Sequence, residues 1–395
     1  MLLSHRQCFP GLQTRPHQSD RPKAYFNYGG QGPLPQVAID RLNEVYQEIQ
    51  HLGPFSLGAG SFVKGIVEEL RQTLAHALGV STETIALTEN VSHGCNIALW
   101  SIPWRSGDEI LLSDCEHPSV VATVQALQTR FNLTVRTCSL LSVQSDPEAL
   151  ETIAAALTPA TRLVALSHVL WNTGFCLPLR EISHLCRQFA QSHGNPLYVL
   201  MDAAQSAGLL PLNLSALGVD FYAFTGHKWW CGPEGVGGLY VAPETIATLM
   251  PAAQGWRGLI LDERGQIQSL KPGAARFEVA TSAYPLYAAL SAAIGFHDRW
   301  GSAQERFDRV LRLSQALWEG LQQRSGVRCL LNQPPQSGLV SFRWEGGSTQ
   351  LVQRLEEQGI FVRKLANPDC VRACVHYLTL ETEIDRLFGE LGIRN

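Results

Sequence analysis

The stretch DFYAFTGHKWWCGPEGVGGLYVA, residues 220–242, reads as two strands joined by a loop. DFYAFTG and GGLYVA are strand-length apolar runs, rich in aromatic and branched residues, and neither carries the 3.6-residue period of a helix. Between them Lys228 stands beside His227, Trp229 and Trp230, and the glycines that follow suit tight turns. Outward from this stretch, runs of the same kind recur at TIALT (84–88), EILLS (109–113), RLVALSHV (162–169) and PLYVLMD (196–202). Helical periodicity marks VAIDRLNEVYQEIQHL (37–52), SFVKGIVEELRQTLAHALG (61–79), VVATVQALQTRF (120–131) and LREISHLCRQFAQSHG (179–194). Strand and helix alternating in this way predict a mostly parallel sheet covered on both faces, an α/β architecture.

Beyond residue 255 the rhythm changes. The segment AAQGWRGLILDERGQIQSLKPGAARFE is loop-rich, and ALSAAIGFHDRWGSAQERFDRVLRLSQALWEGLQQR is strongly helical. The 395 residues suffice for two domains. Charged residues make up 17% and the net charge is −4, which gives no electrostatic case for nucleic acid. No apolar run is long enough for a membrane span. The N-terminal stretch lacks a signal-peptide core, so a cytoplasmic address is the expectation. The ten cysteines form no CxxC pair, and neither a disulfide framework nor a metal site is signalled.

In parallel sheets ligands bind beyond the carboxyl ends of the strands. That rule selects Asn90–His93, Glu116–Ser119, Asp202–Gln205 and Thr225–Lys228. An aspartate ending an apolar strand is costly to bury without a cationic partner, although helix capping is an equal alternative for Asp202. Ser92 and His93 precede an apolar helical run whose free N–H groups make an anion site. His117, followed by proline, projects from a loop; taken alone, a structural histidine is the simpler reading. Lys228 beside two tryptophans is an amine in an apolar setting, which depresses its pKa and suits a Schiff base. An amine, a carboxylate and anion donors together are what pyridoxal 5′-phosphate (PLP) requires. A nucleotide reading fails, because no GxxxxGK[ST] is present and GPEGVGG precedes a strand rather than opening a helix.

With YFNYGGQGPLP, EHPS, DAAQSAG, TGHKWWCGPEGVGGLY, FEVATS and VRKLANPDCVRACVHYLTLETEIDRL in order along nearly the whole chain, the sequence resembles the class V aminotransferase family. This group includes the cysteine desulfurases, and the likeness is greatest to its cyanobacterial cysteine/cystine C–S lyases. The resemblance implies the aspartate aminotransferase-like fold type I of PLP-dependent transferases. It implies a large PLP-binding domain over 31–255 and a smaller α+β domain from 1–30 and 256–395. It makes Lys228 the Schiff-base lysine, Asp202 the partner of the pyridine nitrogen, His117 the residue stacked on the ring and Gln205 a contact of the phenolic oxygen. Ser92, His93, Thr225 and His227 would hold the phosphate. Thr281 would reach in from a partner subunit, which implies a homodimer. Arg363 and Arg372 would hold the substrate carboxylate, with surface ion pairing as the alternative. SHVLWNTG (167–174) departs from the desulfurase pattern, so the cofactor contact there falls to Asn172 or Trp171.

The expected reaction is β-elimination on an amino-acid substrate, cystine more readily than cysteine. Lys228 removes the Cα proton, the ring kept protonated by Asp202 takes up the electrons, and the β-sulfur leaves as a persulfide, with pyruvate and ammonia as the other products. The resemblance suggests an iron–sulfur assembly protein as sulfur acceptor. A desulfurase that releases alanine through a cysteine persulfide is the nearest alternative, with Cys370 its candidate nucleophile. A non-catalytic PLP-binding sulfur-delivery partner and a structural α/β module are the alternatives of other classes.

Overall fold

The strand-length runs assemble into one seven-stranded sheet in the computed structural model, which describes residues 2–14 and 22–392. In chain order its strands are β1 (Ile85–Thr88), β2 (Glu109–Ser113), β3 (Thr134–Cys138), β4 (Thr161–Ser167), β5 (Tyr198–Asp202), β6 (Phe221–Thr225) and β7 (Gly237–Val241). In space they run β1-β7-β6-β5-β4-β2-β3. The five strands from β2 to β6 are parallel, and β7 is antiparallel to both neighbours. Six of the seven coincide with the apolar runs of the sequence. The seventh, β3, is an edge strand whose residues are mostly exposed, so TVRTC carries no continuous apolar signal.

Side chains alternate across a strand, and here both faces are apolar because both are covered. Leu111, Val164, Leu166, Val199 and Met201 join one core with helices Gln36–Leu52, Leu57–Leu78 and Tyr284–Asp298. Ile110, Leu112, Leu163, Ala165 and Leu200 join the opposite core with helices Val91–Ser101 and Pro118–Phe131. The helix Tyr284–Asp298 thus packs on the large sheet although it lies beyond residue 255. Leu57–Leu78 begins four residues before its predicted start, where Ser56 Oγ accepts the Ala59 N–H at 3.0 Å.

A second, antiparallel sheet is formed by β8 (Val327–Cys329), β9 (Leu339–Trp344), β10 (Arg363–Ala366) and β11 (Asp369–Cys374), in the order β8-β9-β11-β10. Helices Ala303–Gln322, Ser348–Glu357 and Glu381–Leu391 cover it through Leu317, Phe342, Leu351, Val371 and Leu387. The N-terminal segment joins this body: Phe9, Phe26 and Tyr28 are buried in the same core, and Ala24–Tyr25 pairs in parallel with Ile360–Phe361. A buried ion pair, Arg6 to Glu383 at 2.6 Å, ties the first helix, Leu2–Gln7, to the last.

Candidate active site

The carboxyl ends of the parallel strands place His117, Ser167 and Asp202 around one cavity of about 380 Å³. Ser167, Asp202 and Thr225 terminate β4, β5 and β6, and Glu116 and His117 follow β2. Lys228 lies in the cavity wall, in the loop between β6 and β7. Burial pushes its ammonium down to about 8; Asp202 opposes that shift, while Arg372 and Arg363 add to it. Asp202 is 6% exposed, and its Oδ1 accepts the Ala204 N–H at 2.9 Å. Burial raises its carboxyl above the usual range, against the pull of the Ala204 N–H, Lys228 and His117.

His117 caps the helix Pro118–Phe131, with Nδ1 3.3 Å from the Ser119 nitrogen and 2.9 Å from Ser119 Oγ. Ser92 Oγ in turn donates to Ser119 Oγ at 3.0 Å. Nδ1 is therefore the acceptor of two donors, and Nε2 carries the ring proton. Burial lowers the pKa of this imidazole. Trp171 stands edge-on to it at 6.0 Å between ring centres.

Anion donors come from the helix Val91–Ser101. Asn90 Oδ1 takes the His93 N–H at 2.9 Å, and Asn90, Val91 and Ser92 line the cavity at the helix N-terminus, where first-turn N–H groups favour negative charge. Gln205 clamps the floor: its Nε2 donates to the Gly29 carbonyl at 2.9 Å and its Oε1 accepts Trp229 Nε1–H at 3.0 Å, which leaves one amide hydrogen. Gly32 donates its N–H to the His227 carbonyl at 2.8 Å, and a Cβ there would collide with the Lys228 carbonyl.

Across the cavity, Arg363 on β10 and Arg372 on β11 are direct cross-strand partners. Like charges placed opposite each other are unfavourable. Neither has a carboxylate partner among the described residues, although Arg372 Nη1 donates to the Trp171 carbonyl at 2.7 Å. Two guanidinium groups without a carboxylate partner at one cavity have the charge and donor geometry to hold a carboxylate.

The class V aminotransferase family model matches residues 24–387. The chain belongs to this family. Among relatives of this class V aminotransferase, isopenicillin N epimerase of Streptomyces clavuligerus is 30% identical, over 92% of this chain and 93% of that protein. A cysteine desulfurase of Synechococcus elongatus is 28% identical, over 96% of this chain and 59% of that protein. Among solved structures, the cystine C–S lyase C-DES in complex with its reaction product cysteine persulfide is 47% identical, with a TM-score of 0.92 over 97% of this chain and 98% of that one. A lysine-to-alanine mutant of C-DES with glycine covalently linked to the PLP cofactor is equally similar, at 47% identity and a TM-score of 0.92 over 98% of each chain. The class V fold of this chain is PLP fold type I.

Of the residues selected from sequence, Ser92, His117, Asp202, Gln205, His227, Lys228, Arg363 and Arg372 line the class V cavity. Four do not. His93 turns outward to pair with Glu89, and its ring lines a different hollow beside Trp100 and Phe277. Thr225 is 2% exposed behind the wall and acts on it through His227, its Oγ1 lying 2.6 Å from His227 Nδ1. Thr281 is exposed and outside the lining. Asn172 is buried with an unpartnered Oδ1, and Trp171 faces the cavity in its place.

Glu116, which the strand-end rule selected but to which no role was given, is buried outside the cavity lining. It accepts Ser113 Oγ–H at 2.5 Å and Ser167 Oγ–H at 2.8 Å, and burial pushes its carboxyl up to about 7. Its signal was a carboxylate at a strand end directly before His117. The glycines of GGQG were likewise quoted without a role, and a glycine run outside any helix or strand signals close backbone approach.

Proposed function

We propose that this class V enzyme is a PLP-dependent carbon–sulfur lyase that cleaves cystine, and cysteine less readily, by β-elimination. The observation that carries the proposal is one cavity in which Lys228, Asp202, His117, a helix N-terminus and the unpaired Arg363–Arg372 couple converge. These groups fit PLP. Lys228 would hold its aldehyde carbon, Asp202 its ring nitrogen, and Ser92, His227 and the N-terminus of Val91–Ser101 its phosphate. His117 would lie against its ring, and the remaining amide hydrogen of Gln205 suits its phenolic oxygen. When bound, PLP supplies an electron sink for the bond-breaking step.

The chain's own residues do the rest. Arg363 and Arg372 fix the substrate carboxylate and so orient the Cα–H toward the cofactor. The Lys228 amine, with its pKa near 8, is poised to take that proton. Asp202 holds a proton at the ring nitrogen. The sulfur leaves with its electron pair as a persulfide when the substrate is a disulfide, and the three-carbon enamine that remains takes up one water to give pyruvate and ammonia. The similarity to C-DES supports cystine as substrate.

The desulfurase alternative needs a mobile thiolate that reaches the substrate sulfur. Cys370 is fully buried on β11, outside the cavity lining, and burial pushes its thiol up to about 11. That environment favours the lyase.

Three finer assignments accompany this reading. Residues 31–255 form the PLP-binding part, on which the helix Tyr284–Asp298 also packs, and residues 1–30 with the rest of 256–395 form the part that brings the arginines; residues 1, 15–21 and 393–395 of the latter lie outside the described residues. The enzyme is a homodimer, supported by the exposed apolar Phe55, Leu57, Trp256, Leu261 and Ile267 and by the exposure of Thr281. It works in the cytoplasm and passes sulfur to an iron–sulfur assembly protein. Ten cysteines outside any disulfide suit a reducing compartment, and among the described residues no helix is long and apolar enough to cross a membrane.

The test is a product analysis with cystine and cysteine in parallel. Pyruvate with persulfide from cystine is the expected result, and alanine as the carbon product would replace the lyase by the desulfurase.

A further inference from the structure

Residues 227–232 are neither helix nor strand, so the carbonyls of the Lys228 segment need partners from outside regular structure. Each finds one. The His227 carbonyl takes the Gly32 N–H at 2.8 Å and the Lys228 carbonyl takes the Cys231 N–H at 3.0 Å, closing a turn in which Cys231 has a φ of 49°. That left-handed conformation is unfavourable for a residue with a side chain and persists where the surroundings impose it. The Trp229 carbonyl lies 3.2 Å from His376 Nε2, and the Trp230 carbonyl 2.9 Å from His297 Nε2. Both histidines are 2% exposed.

Proton positions in this cluster follow from the partners. A carbonyl can only accept, so both Nε2 atoms carry hydrogen. His297 Nδ1 is then an acceptor, filled by Tyr377 O–H at 2.5 Å. With its hydrogen used, the Tyr377 oxygen accepts from His5 Nε2–H at 3.0 Å. His376 Nδ1 accepts the Leu378 N–H at 3.4 Å. Burial keeps these rings neutral: it lowers His376 to about 3, His5 to about 4, and His297 well below the ordinary range. His5 belongs to the first helix, which Arg6 fixes in place through Glu383 and the Leu378 carbonyl.

We infer that His297 and His376 are positioning residues for Lys228, their Nε2–H groups bolting down the two carbonyls that follow it. Tyr377 and His5 set the tautomer of His297, and this chain makes the N-terminal helix part of the device. The amine of Lys228 reaches its target from a turn that buried histidines hold still, because no helix is there to do it. The inference rests on the reading that Lys228 holds PLP, yet its first test needs no cofactor.

That test compares His297→Asn with His297→Gln. Glutamine can present an amide N–H where Nε2 stood, whereas asparagine is too short. Hydrogen exchange in the cofactor-free protein should quicken about tenfold at the Cys231 and Gly232 amides of His297→Asn, the equivalent of one lost buried hydrogen bond. Exchange in β5 should be unchanged, and His297→Gln should restore the slow rates. On addition of PLP, His297→Asn should develop the cofactor's visible band more slowly than the parent, and its kcat for cystine should fall with KM unchanged. Tyr377→Phe, a smaller perturbation, should shift the same amides in the same direction, which keeps the inference testable if His297→Asn does not fold. Unchanged exchange at Cys231 and Gly232, or a uniform rise across the protein, would overturn it. Failure of the parent itself to form the band would refute the PLP reading instead and leave the exchange result to judge the histidines.

Discussion

At the residue scale the class V site turns on the charge state of a few enclosed groups. Lys228 is a nucleophile only when neutral, and its pKa near 8 places that state within reach of physiological pH. Capture of PLP by the cofactor-free protein should accelerate as pH rises through about 8, where an ordinary lysine would need about 10.4; stopped-flow absorbance against pH checks the midpoint. Lys228→Ala should keep its circular dichroism and melting temperature, lose the visible band, and lose nearly all turnover. Arg363→Ala removes one charge-assisted contact, worth about 1.5–3 kcal/mol, and should raise the KM for cystine by about 10- to 150-fold with a smaller change in kcat. Arg363 and Arg372 came from the family resemblance alone, whereas Lys228, Asp202 and His117 were legible as cavity residues because each sets an ionisable group at or just beyond a strand end. His93 was not, since one helical step beyond Ser92 carries a side chain about 100° around the axis, here to Glu89 and away from the cavity. Neither was which of Trp171 and Asn172 lines the cavity, which depends on the path of an irregular loop.

At the scale of elements, the site requires the N-terminus of Val91–Ser101 to lie against the sheet. Gly94 permits this: a Cβ there would stand 3.0 Å from Ala223 Cβ and 3.2 Å from the Gly238 carbonyl oxygen. Gly94→Val should push the helix outward, weaken PLP binding and lower the melting temperature by more than Gly94→Ala does; fluorescence titration with PLP beside a thermal melt separates the two effects. Elements buried on both faces were the legible ones, because a sheet covered on two sides writes continuous apolar runs such as EILLS and RLVALS. The edge strand β3 wrote TVRTC, polar on the side that meets solvent, and stayed silent. The helix Tyr284–Asp298 was legible only as part of a longer helical stretch beginning at Ala289, which the structure breaks before the helix Ala303–Gln322; its docking on the large sheet was not legible, since an all-round apolar surface names no partner.

At the scale of the whole molecule, the two sheets meet at one cavity: the parallel one carries His117 and Asp202 to it and the antiparallel one the arginines. Cys370→Ala lies in the second sheet's core and should retain most of the activity and still yield pyruvate, at a modest cost in stability from the small cavity left on β11; an inactive variant, together with alanine as the product of the unsubstituted protein, would reverse the assignment. The opposed Arg363 and Arg372 carry a further thermodynamic consequence. Their mutual repulsion is an energy held by the folded protein and absent from the unfolded chain, and any anion that settles between them discharges it. Ligation and folding are then linked, and the native state gains RT ln(1 + [L]/Kd) from each bound anion. Even an unreactive carboxylate should therefore raise the melting temperature logarithmically with its concentration, and Arg363→Gln should flatten that slope while making the ligand-free protein no less stable.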